Sequence, residues 1–246
     1  MAAYTGIEWT QATWNPVTGC TKIAAGCVNC YAERMANRLK AMGNPRYTNG
    51  FRPTMHPDLL ALPLRWRQPR TIFVNSMSDL FHEAVPLEFI KDVFRTIETA
   101  DWHTFQILTK RASRLSALAG DLRWPANLWM GVTIERQDYA WRADHLRRVP
   151  CAVRFLSCEP LLGPLDLDLE GIDWVIVGGE SGPGARPMEL DWSRRLRDQC
   201  LRAEVPIFLK QLGGAVDKRG RDKAVLDGRR WTEKPCLPTI QGFGRS

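Results

Sequence analysis

Short runs of β-branched and aromatic residues alternate along this chain with longer amphipathic segments. Six apolar runs from residue 71 onward read as buried strands: 71–75, 104–109, 128–133, 153–157, 174–178 and 206–210. An earlier stretch, 6–16, predicts a first strand. The segments 87–100, 139–147 and 192–203 carry apolar residues at helical spacing. This regular alternation of strands and helices predicts a parallel sheet whose faces are covered by helices.

The number of these units sets the expected architecture. Six or seven strand–helix units in 246 residues fit a single-domain (β/α) barrel, complete or partial and TIM-barrel-like, better than an open sheet. We expect the barrel to occupy residues 1–216. Residues 217–246 lack strand or helix periodicity and carry eight basic residues, so they predict a basic C-terminal loop or tail packed on the barrel through Trp231 and Phe243.

Each predicted strand ends in a cluster of polar residues. Parallel strands of a barrel bring their carboxyl ends to one face, where active sites are built. We therefore expect a shared site there, and the polar residues at the strand ends include Asn75, Ser76, Ser78, Asp79, Lys110, Arg111, Thr133, Glu135, Glu159, Glu180 and Lys210.

Three of the seven cysteines, Cys20, Cys27 and Cys30, fall within eleven residues. The chain has no apolar run near the ~20 residues that span a bilayer and no leader-like start, which predicts a cytoplasmic protein without a membrane segment. In that compartment a cysteine cluster indicates a metal rather than disulfides. The other cysteines stand alone and are expected to be small buried apolar residues: Cys151, Cys158, Cys200 and Cys236.

The number of thiolates bears on the kind of metal. Structural zinc needs four protein ligands, and no second CxxC or HxxxH pair is present. A 4Fe-4S cluster held by three cysteines keeps one iron open for a small molecule, which favours an iron–sulfur site. The irregular spacing of the cysteines leaves an alternative open, a non-enzymatic zinc-binding protein that binds nucleic acid.

Four segments together carry a resemblance to known families: Trp14-Asn-Pro-Val-Thr-Gly-Cys20, Ser76-Met-Ser-Asp-Leu-Phe81, Ser157-Cys-Glu-Pro-Leu161 and Gly178-Gly-Glu-Ser-Gly182. With them the chain resembles a phage-associated three-Cys-motif family over residues 5 to 215. More broadly, a three-cysteine loop after the first barrel strand resembles the radical S-adenosylmethionine superfamily. That resemblance implies a 4Fe-4S cluster that binds S-adenosylmethionine, an electron-donor protein, and a 5′-deoxyadenosyl radical.

Two departures from the superfamily pattern affect the assignment of cofactor-binding residues. The cysteine spacing is x6 and then x2, and the Gly-Gly-Glu element follows a late strand instead of the second. We therefore assign contacts with the methionyl ammonium to the end of the second strand, at Asn75, Ser76, Ser78 and Asp79. The resemblance also implies that Thr133 and Glu135 contact the ribose, although Glu135 fits a surface position equally well.

The candidate catalytic residues are Glu159, Glu180 and Lys210. Glu159 precedes a proline that restricts its backbone, and it suits a substrate anchor, a proton acceptor or a cap. Glu180 lies in a glycine-rich loop, and in a further reading it pairs with Glu159 as the acid and base of a hydrolase. Lys210 adds positive charge to the rim, and Arg186 offers a fork for phosphate or carboxylate.

The charge and the aromatic residues bear on the substrate. Thirty-four basic residues against twenty-seven acidic ones give a net charge of +7, and ten tryptophans accompany them. A positive field attracts polyanions, which predicts an anionic substrate such as a nucleic acid or nucleotide.

Overall fold

A seven-stranded parallel sheet forms the centre of the protein. The computed structural model describes residues 5–214 and 220–235. The strands of the large sheet are β1 (Ala12–Trp14), β4 (Thr71–Val74), β5 (Thr104–Thr109), β6 (Leu128–Thr133), β7 (Val153–Cys158), β8 (Trp174–Gly178) and β9 (Ile207–Gln211). They pair in that order, and every pair is parallel. The sheet is a partial (β/α) barrel, which confirms the predicted fold class.

Helices cover the outer face of this sheet. They are α2 (Leu87–Thr99), α3 (Ala112–Leu118), α4 (Arg142–Arg147) and α5 (Leu190–Arg202). The helix α1 (Tyr31–Ala41) buries Ala32 and Ala36 in a separate cluster with Tyr47 and Met77. In α2, Ile90, Val93 and Ile97 recur at helical spacing and are buried. They belong to the same core as Ile72 and Ile107, which alternate with inward-facing residues along their strands.

Aromatic side chains fill the inner face of the barrel near the amino-terminal ends of the strands. The cluster contains Trp9, Phe73, Trp129, Phe155, Trp174 and Phe208. Trp9 and Phe73 meet edge to face with their ring centroids 4.8 Å apart. Gly131 on β6 is in register with Phe155 on β7, and a Cβ atom at Gly131 would overlap the Phe155 ring. The interior is therefore packed beneath the carboxyl-terminal ends of the strands.

Three features were not predicted from the sequence. The short helix α3 follows β5, and the two-residue strands β2 (Val17–Thr18) and β3 (Thr54–Met55) form a separate antiparallel pair. The third is a hairpin near the C-terminus, where β10 (Val225–Leu226) pairs with β11 (Arg229–Arg230).

The C-terminal segment packs against β9. Trp231 is buried, and its carbonyl accepts a hydrogen bond from the backbone N–H of Leu209 at 2.8 Å. Residue Phe243, the other expected contact, and Cys236 lie outside the described residues. No helix in the described ranges has the length and apolarity needed to cross a membrane.

Candidate functional site

The segment 20–30, here called the cysteine loop, begins beside the carboxyl end of β4. Gly19 donates its backbone N–H to the carbonyl of Met77 at 2.9 Å, and Cys20 donates to the carbonyl of Phe51 at 3.0 Å. Gly19 has φ +83°, and a Cβ atom there would overlap the backbone of Arg52. A glycine is required at this position because the chain turns left-handed in close contact with another segment.

The first anchor of the cysteine loop is an ion pair between Arg111, just after β5, and Asp79, just after β4. The two charges lie 3.1 Å apart and both side chains are buried. The Arg111 guanidinium also donates to the Cys20 Sγ at 3.5 Å and to the Thr21 Oγ1 at 3.0 Å. Asp79 in turn accepts hydrogen bonds from the Thr109 hydroxyl and the backbone N–H of Lys110. The start of the loop is thereby tied to two strand ends.

The second anchor is Glu135, which follows β6 and is completely buried. Its Oε2 accepts from the Arg142 Nη1 at 2.9 Å, and its Oε1 accepts from the backbone N–H of Gly26 at 3.1 Å. Arg142 also donates to the carbonyl of Thr133 at 2.8 Å. Both oxygens of Glu135 therefore have protein partners, and the residue holds the middle of the loop. The surface alternative does not match this burial, and the predicted contact of Glu135 with a ribose stays a prediction.

The third anchor is Glu180, just after β8. Arg186 donates to both of its oxygens, from Nε at 2.9 Å and from Nη2 at 2.6 Å. Asn29 Nδ2 donates to Oε2 at 2.9 Å, and Arg186 reaches the carbonyl of Ala25 at 3.0 Å. Burial raises the pKa of Glu180, but the hydrogen bonds from Arg186 and Asn29 outweigh burial and bring it to about 2.

The Glu180 contacts bear on two expectations from the sequence. A carboxylate with this pKa is ionised at neutral pH, and its hydrogen bonds make it an anchor for the loop, while its predicted catalytic role stays a prediction. Arg186 was expected to bind a phosphate or carboxylate of a substrate. It does bind a carboxylate through a fork, but that carboxylate belongs to Glu180 of the same chain.

The three anchors share one design. Each is an arginine paired with a carboxylate at a strand end, and together they hold the loop at residues 20–21, 25–26 and 29. The strand-end carboxylates were among the residues singled out from the sequence, but their role as supports for the loop was not. A buried carboxylate needs a cationic partner, but the sequence does not show which arginine supplies it.

The thiols of the cysteine loop differ from the other described cysteines. Cys20, Cys27 and Cys30 are half-buried, whereas Cys151, Cys158 and Cys200 are buried. Burial raises the pKa of the Cys151 thiol to about 11 and that of Cys200 to about 12, and it also raises that of Cys20 to about 11. The exposure of the thiols, and not their pKa, therefore distinguishes the cysteine loop. Across residues 5–214 and 220–235, no group of three or more histidine, cysteine, aspartate or glutamate side chains is arranged to hold a metal ion.

The absence of such a group in the described ranges concerns sites for a single metal ion. It does not test for a site that holds a 4Fe-4S cluster. The ligands of a 4Fe-4S cluster bind different iron atoms, so they lie farther apart than the ligands of a single zinc ion. Three half-buried thiols on one anchored loop match the donor set of such a cluster.

Asn75 has an unusual environment at the end of β4. Its φ is +65°, a left-handed conformation that costs energy for a residue with a side chain. Asn75 is only 3% exposed, and neither its Oδ1 nor its Nδ2 has a hydrogen-bond partner among the described residues. Strain and an unpaired buried amide at one position are typical of a binding site.

The neighbours of Asn75 have partners within the protein. Ser76 donates its hydroxyl to Asn15 Oδ1 at 3.2 Å, and Ser78 donates to the carbonyl of Val17 at 2.8 Å. The hydroxyl of Tyr31, the first residue of α1, donates to the carbonyl of Ser76. Of the four residues assigned to the methionyl ammonium, Asn75 alone has a side chain without a hydrogen-bond partner among the described residues.

Glu159, which follows β7, and Lys210, on β9, meet at the carboxyl ends of two strands that are separated by β8. They form an ion pair, and Gln211 Nε2 also donates to the Glu159 Oε1 at 3.3 Å. Nearby along the same strand ends, Lys110 Nζ donates to the Thr133 hydroxyl at 3.4 Å. The structure thus places two lysines and one carboxylate at the carboxyl ends of β5, β7 and β9.

Two cavities lie away from this face. One of about 670 Å³ is lined by residues that include Thr10 and Phe208, and one of about 450 Å³ by residues that include Asp173 and Pro206. These residues stand where β1, β8 and β9 begin, at the amino-terminal ends of the strands. None of the site residues predicted from the sequence lines either cavity.

Comparison with known proteins gives a family match and a fold match. The family described as "Protein of unknown function (DUF5131)" matches residues 4–235. None of the curated proteins compared with the chain matches it. A spore photoproduct lyase variant is similar in structure with a TM-score of 0.50 and 13% identity, over 81% of this chain and 63% of that one.

A second structure, a spore photoproduct lyase variant with bound AdoMet and dinucleoside spore photoproduct, has a TM-score of 0.47 and 13% identity, over 78% of this chain and 61% of that one. The chain therefore spans about three-fifths of the length of these structures. At such low identity the first match shows the fold, and this agrees with the partial barrel that the resemblance to the radical S-adenosylmethionine superfamily implies.

Proposed function

We propose that this chain, which belongs to the DUF5131 family, is a radical S-adenosylmethionine-type iron–sulfur enzyme that acts on a nucleic acid or nucleotide. One observation carries the proposal. A loop with three half-buried cysteines is fixed by three Arg–carboxylate anchors across the carboxyl-terminal ends of a partial barrel. In a parallel barrel this is the face on which chemistry takes place.

The residues fit a 4Fe-4S cluster and S-adenosylmethionine. Cys20, Cys27 and Cys30 would hold the cluster as thiolates and leave one iron without a protein ligand. When bound, the cluster supplies the electron that cleaves a carbon–sulfur bond of S-adenosylmethionine to give a 5′-deoxyadenosyl radical. The unpaired amide of Asn75 suits the amino group of the cofactor, because its Oδ1 can accept a hydrogen bond and is buried without a partner among the described residues.

The chain's own residues have three roles in this proposal. Glu135 and Glu180 keep the cysteine loop in place, because both accept hydrogen bonds from it. Thr133 and Lys110 lie together on the inner side of the strand ends and can contact the ribose or a phosphate. Glu159 and Lys210 form a paired acid and base that orients the substrate and can accept or release a proton.

The substrate class follows from charge. The net charge of +7 attracts polyanions, and Lys110 and Lys210 bring positive charge to the carboxyl-terminal face. We include in the proposal a cytoplasmic location, an electron-donor protein as partner and an association with phages.

Anaerobic reconstitution with iron and sulfide tests the proposal. The protein should bind one 4Fe-4S cluster, and its absorption and EPR spectra should change when S-adenosylmethionine is added, because the open iron gains ligands. With dithionite it should release 5′-deoxyadenosine. Replacing Cys20, Cys27 or Cys30 by Ala should abolish both signals, whereas Cys151→Ala and Cys200→Ala serve as matched controls that retain them. One tightly bound zinc ion, with no response to S-adenosylmethionine, would overturn the proposal.

The substrate class needs a separate measurement. Fluorescence anisotropy with a labelled single-stranded oligonucleotide should show binding that weakens steeply as salt increases, because phosphate contacts release counterions. If Lys110 binds the phosphate backbone of the oligonucleotide, Lys110→Ala should make the slope of log affinity against log salt concentration shallower, by the amount expected for one phosphate contact. Binding that is unaffected by salt would remove the nucleic acid from the proposal and leave the cluster chemistry intact.

A further inference from the structure

Arg111 differs from the other two anchoring arginines in what it contacts. Its Nη1 lies 3.5 Å from the Cys20 Sγ and 3.1 Å from the Asp79 Oδ2. Its Nη2 donates to both the carbonyl and the hydroxyl of Thr21. Arg142 and Arg186 hold the loop through a carboxylate or a carbonyl. Within the described ranges, Arg111 is the arginine that donates to a cysteine sulfur.

The guanidinium is held rigidly in this position. Only 5% of Arg111 is exposed, and Nε donates to both oxygens of Glu83, at 3.1 and 2.9 Å. The backbone N–H of Arg111 also donates to the Thr109 hydroxyl, which in turn donates to Asp79. A planar fork fixed on three sides has little freedom to turn away from the sulfur.

We propose that Arg111 is a positioning residue that orients Cys20 and raises the reduction potential of the cluster bound by the cysteine loop. The proposal rests on the proposed function. A hydrogen bond to a ligating sulfur withdraws electron density from it, and hydrogen bonds to the sulfurs are among the factors that set the potential of a cluster. The added electron makes the cluster more negative, so a nearby cation stabilises the reduced form.

Substitutions of Arg111 and of its partner Glu83 should shift the reduction potential of the cluster in opposite directions. Arg111→Met removes the cation and the hydrogen bond, and it leaves the carboxylate of Asp79 close to the sulfur, so the potential should fall. Glu83 is two-thirds exposed and contacts the far edge of the guanidinium. Glu83→Gln keeps the shape and removes one negative charge, so the potential should rise by a smaller amount.

The test is an EPR-monitored redox titration of the reconstituted protein without S-adenosylmethionine. For Arg111→Met we expect the reduction equilibrium constant to fall about tenfold, which is about 59 mV for one electron. Arg147→Met is the matched control, because it removes a paired arginine whose contacts are with Asp144, Asp168 and Glu170 and not with the cysteine loop, and its midpoint potential should stay near that of the unsubstituted protein. An unchanged or higher potential in Arg111→Met at full cluster occupancy would overturn the proposal.

A second measurement separates this inference from the proposed function. In the protein without cluster, hydrogen exchange of the backbone amides of residues 20–24 should accelerate in Arg111→Met and stay unchanged in Glu83→Gln. If the unsubstituted protein binds no cluster, the proposed function fails, while exchange still reports whether Arg111 positions Cys20. If Arg111→Met binds no cluster, its reduction potential cannot be measured, and the potential of Glu83→Gln tests the proposal instead. A potential lower than that of the unsubstituted protein would overturn the proposed effect of Arg111.

Discussion

The backbone N–H of Gly26 and the side chain of Glu135 are 109 residues apart in sequence and joined by a hydrogen bond of 3.1 Å. A side chain at Gly26 would crowd this contact, because a Cβ atom there would lie 3.2 Å from the Glu135 Oε1. Since Glu135 is also paired with buried Arg142, the position of the loop depends directly on a charge pair inside the barrel.

We expect Glu135→Gln to destabilise the protein strongly. The substitution leaves the Arg142 cation buried without its partner, and breaking a buried ion pair in this way costs about 3 kcal/mol or more. Urea unfolding at pH 7 measures the loss. The double variant Glu135→Gln/Arg142→Met should recover much of it, because no unpaired charge is left. A double variant less stable than Glu135→Gln would contradict this explanation.

The contribution of Glu180 to the free energy of unfolding should decrease as the pH is lowered into the acid range. Its pKa in the folded protein is about 2, below the ordinary value of 4.5. The ionised form is therefore favoured by folding, and the resulting stability is complete above about pH 4.5 and is lost as the pH falls toward 2. Glu180→Gln should cost about 2 kcal/mol at pH 7, and the difference should shrink steadily from pH 4.5 to pH 3. Urea unfolding of both proteins across this range measures it, and a constant difference would argue against an ionised anchor.

Asn75→Gly should separate stability from cofactor binding. Glycine adopts the left-handed conformation without strain, and the substitution removes two unpaired buried polar atoms, so stability should rise by about 1 kcal/mol. If Asn75 binds the cofactor, the affinity for S-adenosylmethionine should fall at least tenfold, measured through the spectral change of the cluster. Asn75→Ala is the control, since it removes the same amide but keeps the strain. Unchanged affinity in both variants would exclude Asn75 from the cofactor site.

Gly131→Ala should cost roughly 1–3 kcal/mol because the added methyl group overlaps the Phe155 ring. In the background of Phe155→Leu the same substitution should cost less, since the smaller side chain leaves space. Thermal unfolding of the four proteins of this cycle measures the coupling between the two positions. Equal costs in both backgrounds would mean that the ring adjusts freely.

Much of the architecture could be predicted from the sequence because its pattern is strong. Apolar runs such as 128–133 and 174–178 stand where β6 and β8 are found, and the regular return of helices predicts parallel pairing. Helix α3 was missed because its seven residues span only two turns, too short for a periodic signal. The hairpin 225–230 was missed for the same reason.

The site was harder to predict than the fold. The sequence predicted that Asp79, Glu135 and Glu180 lie at strand ends, but a sequence does not show which cation forms an ion pair with a given carboxylate. Arg111 lies 32 residues from Asp79, and Arg142 is seven residues from Glu135. Whether a carboxylate faces the substrate or supports a loop depends on these pairings, and they are set by how the strands pack.

The three anchors have a consequence for how the proposed cluster would be acquired and lost. Small zinc domains fold only when metal binds, because their unliganded loops have no other support. Here the loop is held at three points by Arg–carboxylate pairs whose contacts need no metal. The loop is therefore ordered when the barrel folds. The loop is preorganised, and under the proposed function a protein that lost its cluster to oxygen should accept a new one without unfolding, provided that its thiols are reduced.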